Sequence, residues 1–490
     1  MSRPITKSDF IAGIQCPLRL WNRHHAPIPY EDRTETSAMR AGTDVGLLAH
    51  QLFPGGVLVE AEPWERDESV ARTQVLLADL TVPAILEAGF LYDGLHARAD
   101  VLKRKPSGAF ALYEVKSTGE VKDQHIPDLA FQVHVARGSG LMIDETGILY
   151  INKEYERGAE LDVQQLFAFS DETTRVEEYL AGIDERLAAQ KALLLGSPPT
   201  VEPGPHCHDP YECEFWARCT EKKPDDWIFY LPRSGKRYDE LRSRGIESIR
   251  AIPDDFSLTE LQARIRDVLR SGKPYIGPGL ADALAEVQAP VSYLDFETVN
   301  PAVPLWPGTY PFQRIPFQWS LHRMTGAGDL THAEFLADGS DDPRRVLAES
   351  LVEHLGSTNE KVVVYNKGFE GSVLRELAGI HGDLAPALLG IANRLWDLLP
   401  VVRGQVYFAE FGGSFSIKNV APALISEISY TELGNINDGT AASDAFMRLV
   451  VDEPDGNNAI EIRRLLLAYC KLDTFSMARV HDVLRNLRTN

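Results

Sequence analysis

Cysteine is scarce in this chain, five in 490 residues, which leaves no disulfide framework to staple a fold. Long apolar runs are missing as well: none reaches the roughly 18 residues a membrane-spanning helix needs. The opening MSRPITKSDF lacks the apolar core of a signal peptide. These absences lead to the expectation of a cytoplasmic protein in a reducing setting, with no membrane partner. Positive charge is also in deficit: 50 Lys and Arg stand against 71 Asp and Glu, for a net charge of -21. So acidic a chain has no general affinity for phosphate, and any grip on nucleic acid must come from a local groove. No internal repeat is found.

What is present is length and local pattern. At about 150 residues per domain the chain predicts roughly three domains, each able to bury its own core. The pattern is α/β. Residues 1 to about 90 read as mostly helical, beginning at TKSDFIAGIQC, where Ser8 and Asp9 precede an apolar-periodic run. Two strands follow within residues 91–117, joined at Pro106, Ser107 and Gly108. DLAFQVHVARG returns to helix, GILYINK to strand, and one long charged helix is expected over about 171–195. The stretch 225–287 reads as a polar helical connector, and a second α/β pattern opens at VSYLDFETV. The predicted boundaries are therefore 1–224, 225–287 and 288–490.

Three of the five cysteines stand six apart in HCHDPYECEFWARC, at Cys207, Cys213 and Cys219. Regular spacing amid His, Asp, Pro and Tyr is unlike core packing and reads as metal-binding or catalytic, with His206 and His208 as further donors. Cys470 reads as a core residue.

Chemistry is suggested at two other places. Glu114 and Lys116 are two apart on a strand, hence on one face, and the preceding strand can bring Asp100 alongside. Two carboxylates at one point suit a hard divalent cation, and an adjacent ammonium suits a developing phosphate charge. In the C-terminal third, SYLDFETV sets Asp295 and Glu297 on one face of a strand, VVVYNKGFE supplies Asn366 and Glu370, and AYCKLD places Tyr469 and Asp473 on one helix face. Four carboxylates from a strand, a strand end and a late helix make a two-metal site for attack on a phosphodiester, with a phenol to orient water. Ser416 reads as a helix N-cap followed by Lys418, and Trp396 as core.

The order of a helix ending at His50, then Asp100, Glu114-x-Lys116 and Gln132, resembles the PD-(D/E)XK nucleases of the RecB type, and in particular the iron-sulfur branch typified by AddB-type and CRISPR-associated RecB-like nucleases. That resemblance implies a metal held by Asp100 and Glu114, with Lys116, His50 and Gln132 in support. It also joins Cys16 to Cys207, Cys213 and Cys219 as ligands of a [4Fe-4S] cluster, for which zinc is the alternative. The wider spacing of the late cysteines departs from that pattern. The C-terminal motifs resemble the RNase H-like DnaQ or DEDD exonucleases of the tyrosine subclass, which implies Mg2+ or Mn2+ on Asp295, Glu297, Glu370 and Asp473 with Tyr469 orienting water. That family has Asp where this chain has Glu370. Nearly the full length resembles an uncharacterised bacterial family that fuses the two. The resulting expectation is a restriction-endonuclease-like domain, a helical connector and an RNase H-like domain, acting as a metal-dependent nuclease on DNA, more than RNA, in repair or defence. The competing expectation is a nucleic-acid-binding protein with a structural cluster and inactive sites.

Overall fold

The computed structural model describes residues 3–29, 37–62, 64–434, 436–451 and 456–487. It is a mixed α/β chain, and none of its described helices is long and apolar enough to cross a membrane. It divides into two compact units, Met1–Lys222 with Pro301–Gln313, and Lys223–Asn300 with Arg314–Asn490.

The first unit is built on one sheet. Its strands are β1 (Ile5–Thr6), β2 (Val57–Leu58), β3 (Ala84–Tyr92), β4 (Leu95–Arg104), β5 (Phe110–Lys116), β6 (Ile143–Ile151) and β7 (Phe167–Asp171), in the order β2-β3-β4-β5-β6-β7 with β1 against the start of β4. β3, β4 and β5 are antiparallel neighbours, while β5 and β6 are parallel and joined through the helix His125–Gly138. That helix is buried almost all round, so its polar Asp128 and Gln132 are held inside the fold. The sheet is covered on both faces, with Ala97, Ala99 and Leu112 in one apolar cluster and Val101, Ala111 and Tyr113 in another.

Two local expectations are corrected. Residues 84–92 form a strand where the helical reading ran to about 90, because Asp93 and Gly94 both take positive φ, 49° and 72°, and turn the chain into a tight hairpin with β4. The single helix expected over 171–195 is a strand end and two helices, Thr173–Leu180 and Ile183–Leu195, parted at Ala181 and Gly182.

In the second unit β8 (Tyr275–Ile276) will pair with a later strand, and the main sheet comprises β9 (Val291–Val299), β10 (Ile315–Met324), β11 (Leu330–Leu336), β12 (Lys361–Val364) and β13 (Leu395–Asp397), ordered β11-β10-β9-β12-β13. β9 is antiparallel to β10 and parallel to β12, and β14 (Val406–Tyr407) is β8's partner. Alternation along β9 decides what each face does. Leu294 and Phe296 enter the apolar cluster with Leu347, Leu374 and Leu388, while Tyr293 bonds the terminal helix Asn457–Asn486 through His481 Nδ1 at 2.8 Å. Ser320 and Gln318 on β10 bond Thr474 and the Leu466 carbonyl of the same helix. Residues 225–287 pack as part of this unit: Leu241, Ile249, Ile265 and Leu280 are buried, and Gly277 N donates to the Gln405 carbonyl at 2.7 Å.

Candidate metal centres

In the first unit, β5 and the buried helix bring Glu114, Lys116 and Gln132 together. Glu114 Oε1 receives Lys116 Nζ at 2.8 Å and Lys7 Nζ at 2.6 Å, while Gln132 Nε2 donates to Oε2. Lys116 also reaches Asp128 Oδ2 at 2.5 Å. Burial alone would raise the Glu114 carboxyl, but the two ammonium groups outweigh it and hold it well below the ordinary range. Asp100 accepts from the Val115 amide at 2.7 Å. Burial, with Glu114 nearby, pushes its pKa up to about 8. Charge at this point is thus divided between a carboxylate paired twice over and a carboxyl that holds its proton.

Asp100 lines a cavity of about 640 Å³ together with His50, Glu87, Arg98 and Val115. The register pairs Leu86 with Val101 and Ala88 with Ala99, which sets Glu87 across from Asp100. Glu87 adopts φ 58°, a strained conformation for a side-chain-bearing residue inside a strand, and such strain collects at functional sites. Its carboxylate binds Arg98 Nε at 2.7 Å and lies 3.6 Å from His50 Nε2. Lys7, Glu87 and Asp128 were not singled out in the sequence. Asp128 carried a signal, standing four residues before Gln132 on one helix face; Lys7 and Glu87 carried none.

The cysteines converge from the two ends of this unit. Cys16 caps the C-terminal end of helix Lys7–Gln15, and Cys16 and Cys207 are buried. Burial raises the Cys207 thiol, with Cys16 adding to the effect, and the same two thiols act on Cys219. Cys213 is pushed up to about 11, chiefly by burial, and its amide bonds the Cys207 carbonyl at 2.8 Å. Gln15 Nε2 bonds the carbonyls of His206 and Tyr211, and Arg19 pairs with Glu214 at 2.7 Å, so the first helices and the segment 206–219 are stitched together.

In the second unit Asp295, Glu297 and Cys470 offer three ligand atoms within 4.8 Å of one another, the single such grouping among the described residues. The thiol of Cys470 is 3.9 Å from Asp295 Oδ2, so the residue read as core is buried beside the carboxylates. Asp473 comes to the same place one helical turn later, where it accepts from Tyr430 at 2.6 Å. Lys418 Nζ donates to the Tyr469 hydroxyl at 2.6 Å, and Ser416 caps the helix that carries Lys418. Glu370, in the helix Lys367–Ile380, is buried and its Oε2 has no hydrogen-bond partner. Burial pushes Asp295 up to about 8 with Asp473 adding to it, and Glu370 up to about 9 with Asp295 adding to it; Glu297 and Asp473 are raised in the same sense. A cavity of about 430 Å³ opens on Asp295 and Asp473 past Asn366, Arg403 and Ser416. Asn366 holds φ 120°, its amide bonded to Asp397. Trp396 is half-buried against His481.

Comparison with known proteins finds similarity within the second unit. A model described as a domain of unknown function (DUF2779) matches residues 292–416. The matched segment holds Asp295, Glu297 and Glu370 and ends before Lys418, Tyr469 and Asp473. Uncharacterized protein UU173 of Ureaplasma parvum serovar 3 is 24% identical over 231 residues, 42% of this chain and 33% of that protein. The chain therefore spans about a third of the length of this relative.

Proposed function

We propose that the protein is a metal-dependent nuclease acting on the phosphodiester bonds of DNA, from an end or on single strands, with a RecB-type PD-(D/E)XK centre in its first unit and an RNase H-like DEDD centre in its second. The observation that carries this reading is the gathering of Asp295, Glu297, Glu370 and Asp473 from one strand and two helices, where burial raises all four carboxyls and neighbouring carboxylates add to the rise at Asp295, Glu297 and Glu370. Like charges in so small a space stay together at neutral pH only as protonated acids or around a cation. Their hard oxygens suit Mg2+ or Mn2+, which when bound activates water and neutralises charge on the phosphate. The central position of β9, antiparallel on one side and parallel on the other, supports the RNase H-like reading. Lys418 holds the Tyr469 hydroxyl toward these carboxylates, where it can orient the attacking water.

In the first unit Asp100 and Glu114 would hold the metal, with Lys116 supplying positive charge and Gln132 fixing the Glu114 carboxylate. Cys16, Cys207, Cys213 and Cys219 would hold an iron-sulfur cluster. Four thiolates suit a [4Fe-4S] cluster, and zinc is the alternative. Serine at Cys213 is expected to bleach the cluster absorbance of anaerobically purified protein and destabilise the first unit, read by iron content and thermal unfolding; stoichiometric zinc in a colourless wild type would reverse the assignment.

A second reading, a nucleic-acid-binding protein with inert sites, draws on how completely Glu114 is engaged by Lys7, Lys116 and Gln132. Cleavage of end-labelled single- and double-stranded DNA and RNA with Mg2+ or Mn2+ decides between them. Lys116→Ala or Asp295→Ala is expected to lower the rate ~100-fold or more in whichever unit cuts. No cleavage by the wild type on any substrate would establish the second reading.

A further inference from the structure

The two ammonium groups on Glu114 are not equivalent. Lys116 Nζ bridges two carboxylates, Glu114 at 2.8 Å and Asp128 at 2.5 Å. Lys7 Nζ bonds one carboxylate, Glu114 at 2.6 Å, with Asp100 and Asp128 acting on it from farther off, and its side chain is more exposed than that of Lys116, 28% against 17%. The backbone beneath Lys7 is nonetheless fixed. β1 pairs Ile5 and Thr6 with Leu95 and His96, Thr6 and Asp9 form a reciprocal cap at the start of helix Lys7–Gln15, and Asp9 is gripped by Arg3 and Arg23 at 2.6 Å and 2.9 Å. Lysine is a strongly hydrated point charge on a flexible stem. A divalent cation that takes Glu114 competes with both ammoniums; Lys116 then keeps Asp128, while Lys7 loses its carboxylate.

We propose that Lys7 is a second ammonium of this centre, and that it binds a non-bridging oxygen of the substrate phosphodiester once a divalent cation takes Glu114. The inference rests on the nuclease reading of the first unit. It makes the amino-terminal helix part of the substrate site and gives an acidic chain a local cation for phosphate.

The test uses the full chain carrying Asp295→Ala, so that metal binding and cleavage report the first unit, with Lys7 intact, Lys7→Met or Lys7→Arg. Mn2+ affinity is measured by calorimetry. Affinity for a single-stranded oligodeoxynucleotide is measured against salt, with Ca2+ in place of Mn2+ to prevent turnover. Lys7→Met is expected to tighten Mn2+ binding about tenfold by removing a competing cation, and to lower the slope of log affinity against log salt by about one. It is also expected to raise KM more than it lowers kcat, and Lys7→Arg should restore the slope. Should Lys7→Met fail to fold, Lys7→Gln keeps a hydrogen bond to Glu114 without the charge. Wild-type Mn2+ affinity and salt slope in the charge-free variants would overturn the proposal, as would absence of Mn2+ binding. Cleavage that survives Lys116→Ala would instead defeat the nuclease reading of this unit, and the Mn2+ titration would still decide whether Lys7 competes for Glu114.

Discussion

The two carboxylate centres solve the same electrostatic problem in opposite ways. In the first unit Glu114 is buried between Lys7 and Lys116 and stays ionised, while Asp100 nearby keeps its proton. In the second unit four carboxyls share a site reached by Lys418 through Tyr469, and all are driven toward the protonated form. The ionised carboxylate of the first centre is paired by ammonium groups of its own chain; the carboxyls of the second are drawn toward protonation. A carboxylate's charge thus follows from whether ammonium groups stand close enough to offset its burial, which by itself raises the carboxyl in both places.

The largest effect that separates the centres is expected from Glu114→Gln. Removing that charge leaves Lys116 with Asp128 alone and takes from Lys7 the carboxylate it bonds, and breaking a buried pair costs about 3 kcal/mol or more, to be read by denaturant unfolding of the first unit. An unchanged midpoint would show that the lysines find other partners.

Next comes pH. The raised carboxyls of the second unit hold protons that the unfolded chain releases, so the folded form binds more protons than the unfolded form and stability falls as pH rises. The window runs from the ordinary carboxyl values near 4 to the folded values of about 8 for Asp295 and about 9 for Glu370. Thermal unfolding in chelator should show the decline, and Mn2+ should flatten it. The Glu114 carboxyl has the opposite sign: its lowered pKa contributes stability above the ordinary carboxyl range that is lost as pH falls below it. A second unit equally stable across this window in chelator would break the comparison.

The smallest effect is expected at Glu370. Held protonated, with Oε2 unpartnered, it is already nearly an amide in charge. Glu370→Gln should shift metal-free stability by less than about 1 kcal/mol, while weakening Mn2+ binding to the second unit. A large loss of metal-free stability would show that the carboxylate is ionised and paired.

Local pattern in the sequence reached the strands that carry the acids, the pairing of Glu114 with Lys116 on one face, the helix end at His50 and the cap at Ser416. It passed over the hairpin at Asp93 and Gly94, although that dipeptide is a turn signal, because the helical reading of the preceding residues ran through it. In the sequence Lys7 is one lysine near a helix start and Glu87 one acid among 71. Neither has a periodicity that marks it, since its meaning comes from a partner across the sheet or more than a hundred residues away.

By itself the sequence determined which residues could carry chemistry, because side-chain type and the two-residue and four-residue periods of strand and helix are local properties. It determined likewise that no apolar run reaches the roughly 18 residues a membrane-spanning helix needs. Only the tertiary structure decided which carboxylates meet ammonium groups and which meet each other, that Cys470 lies beside Asp295, and that residues 225–287 pack within the second unit. Those outcomes depend on distances between residues far apart in the chain, and at 3 to 4 Å the sign of the nearest charge outweighs everything the local pattern contains.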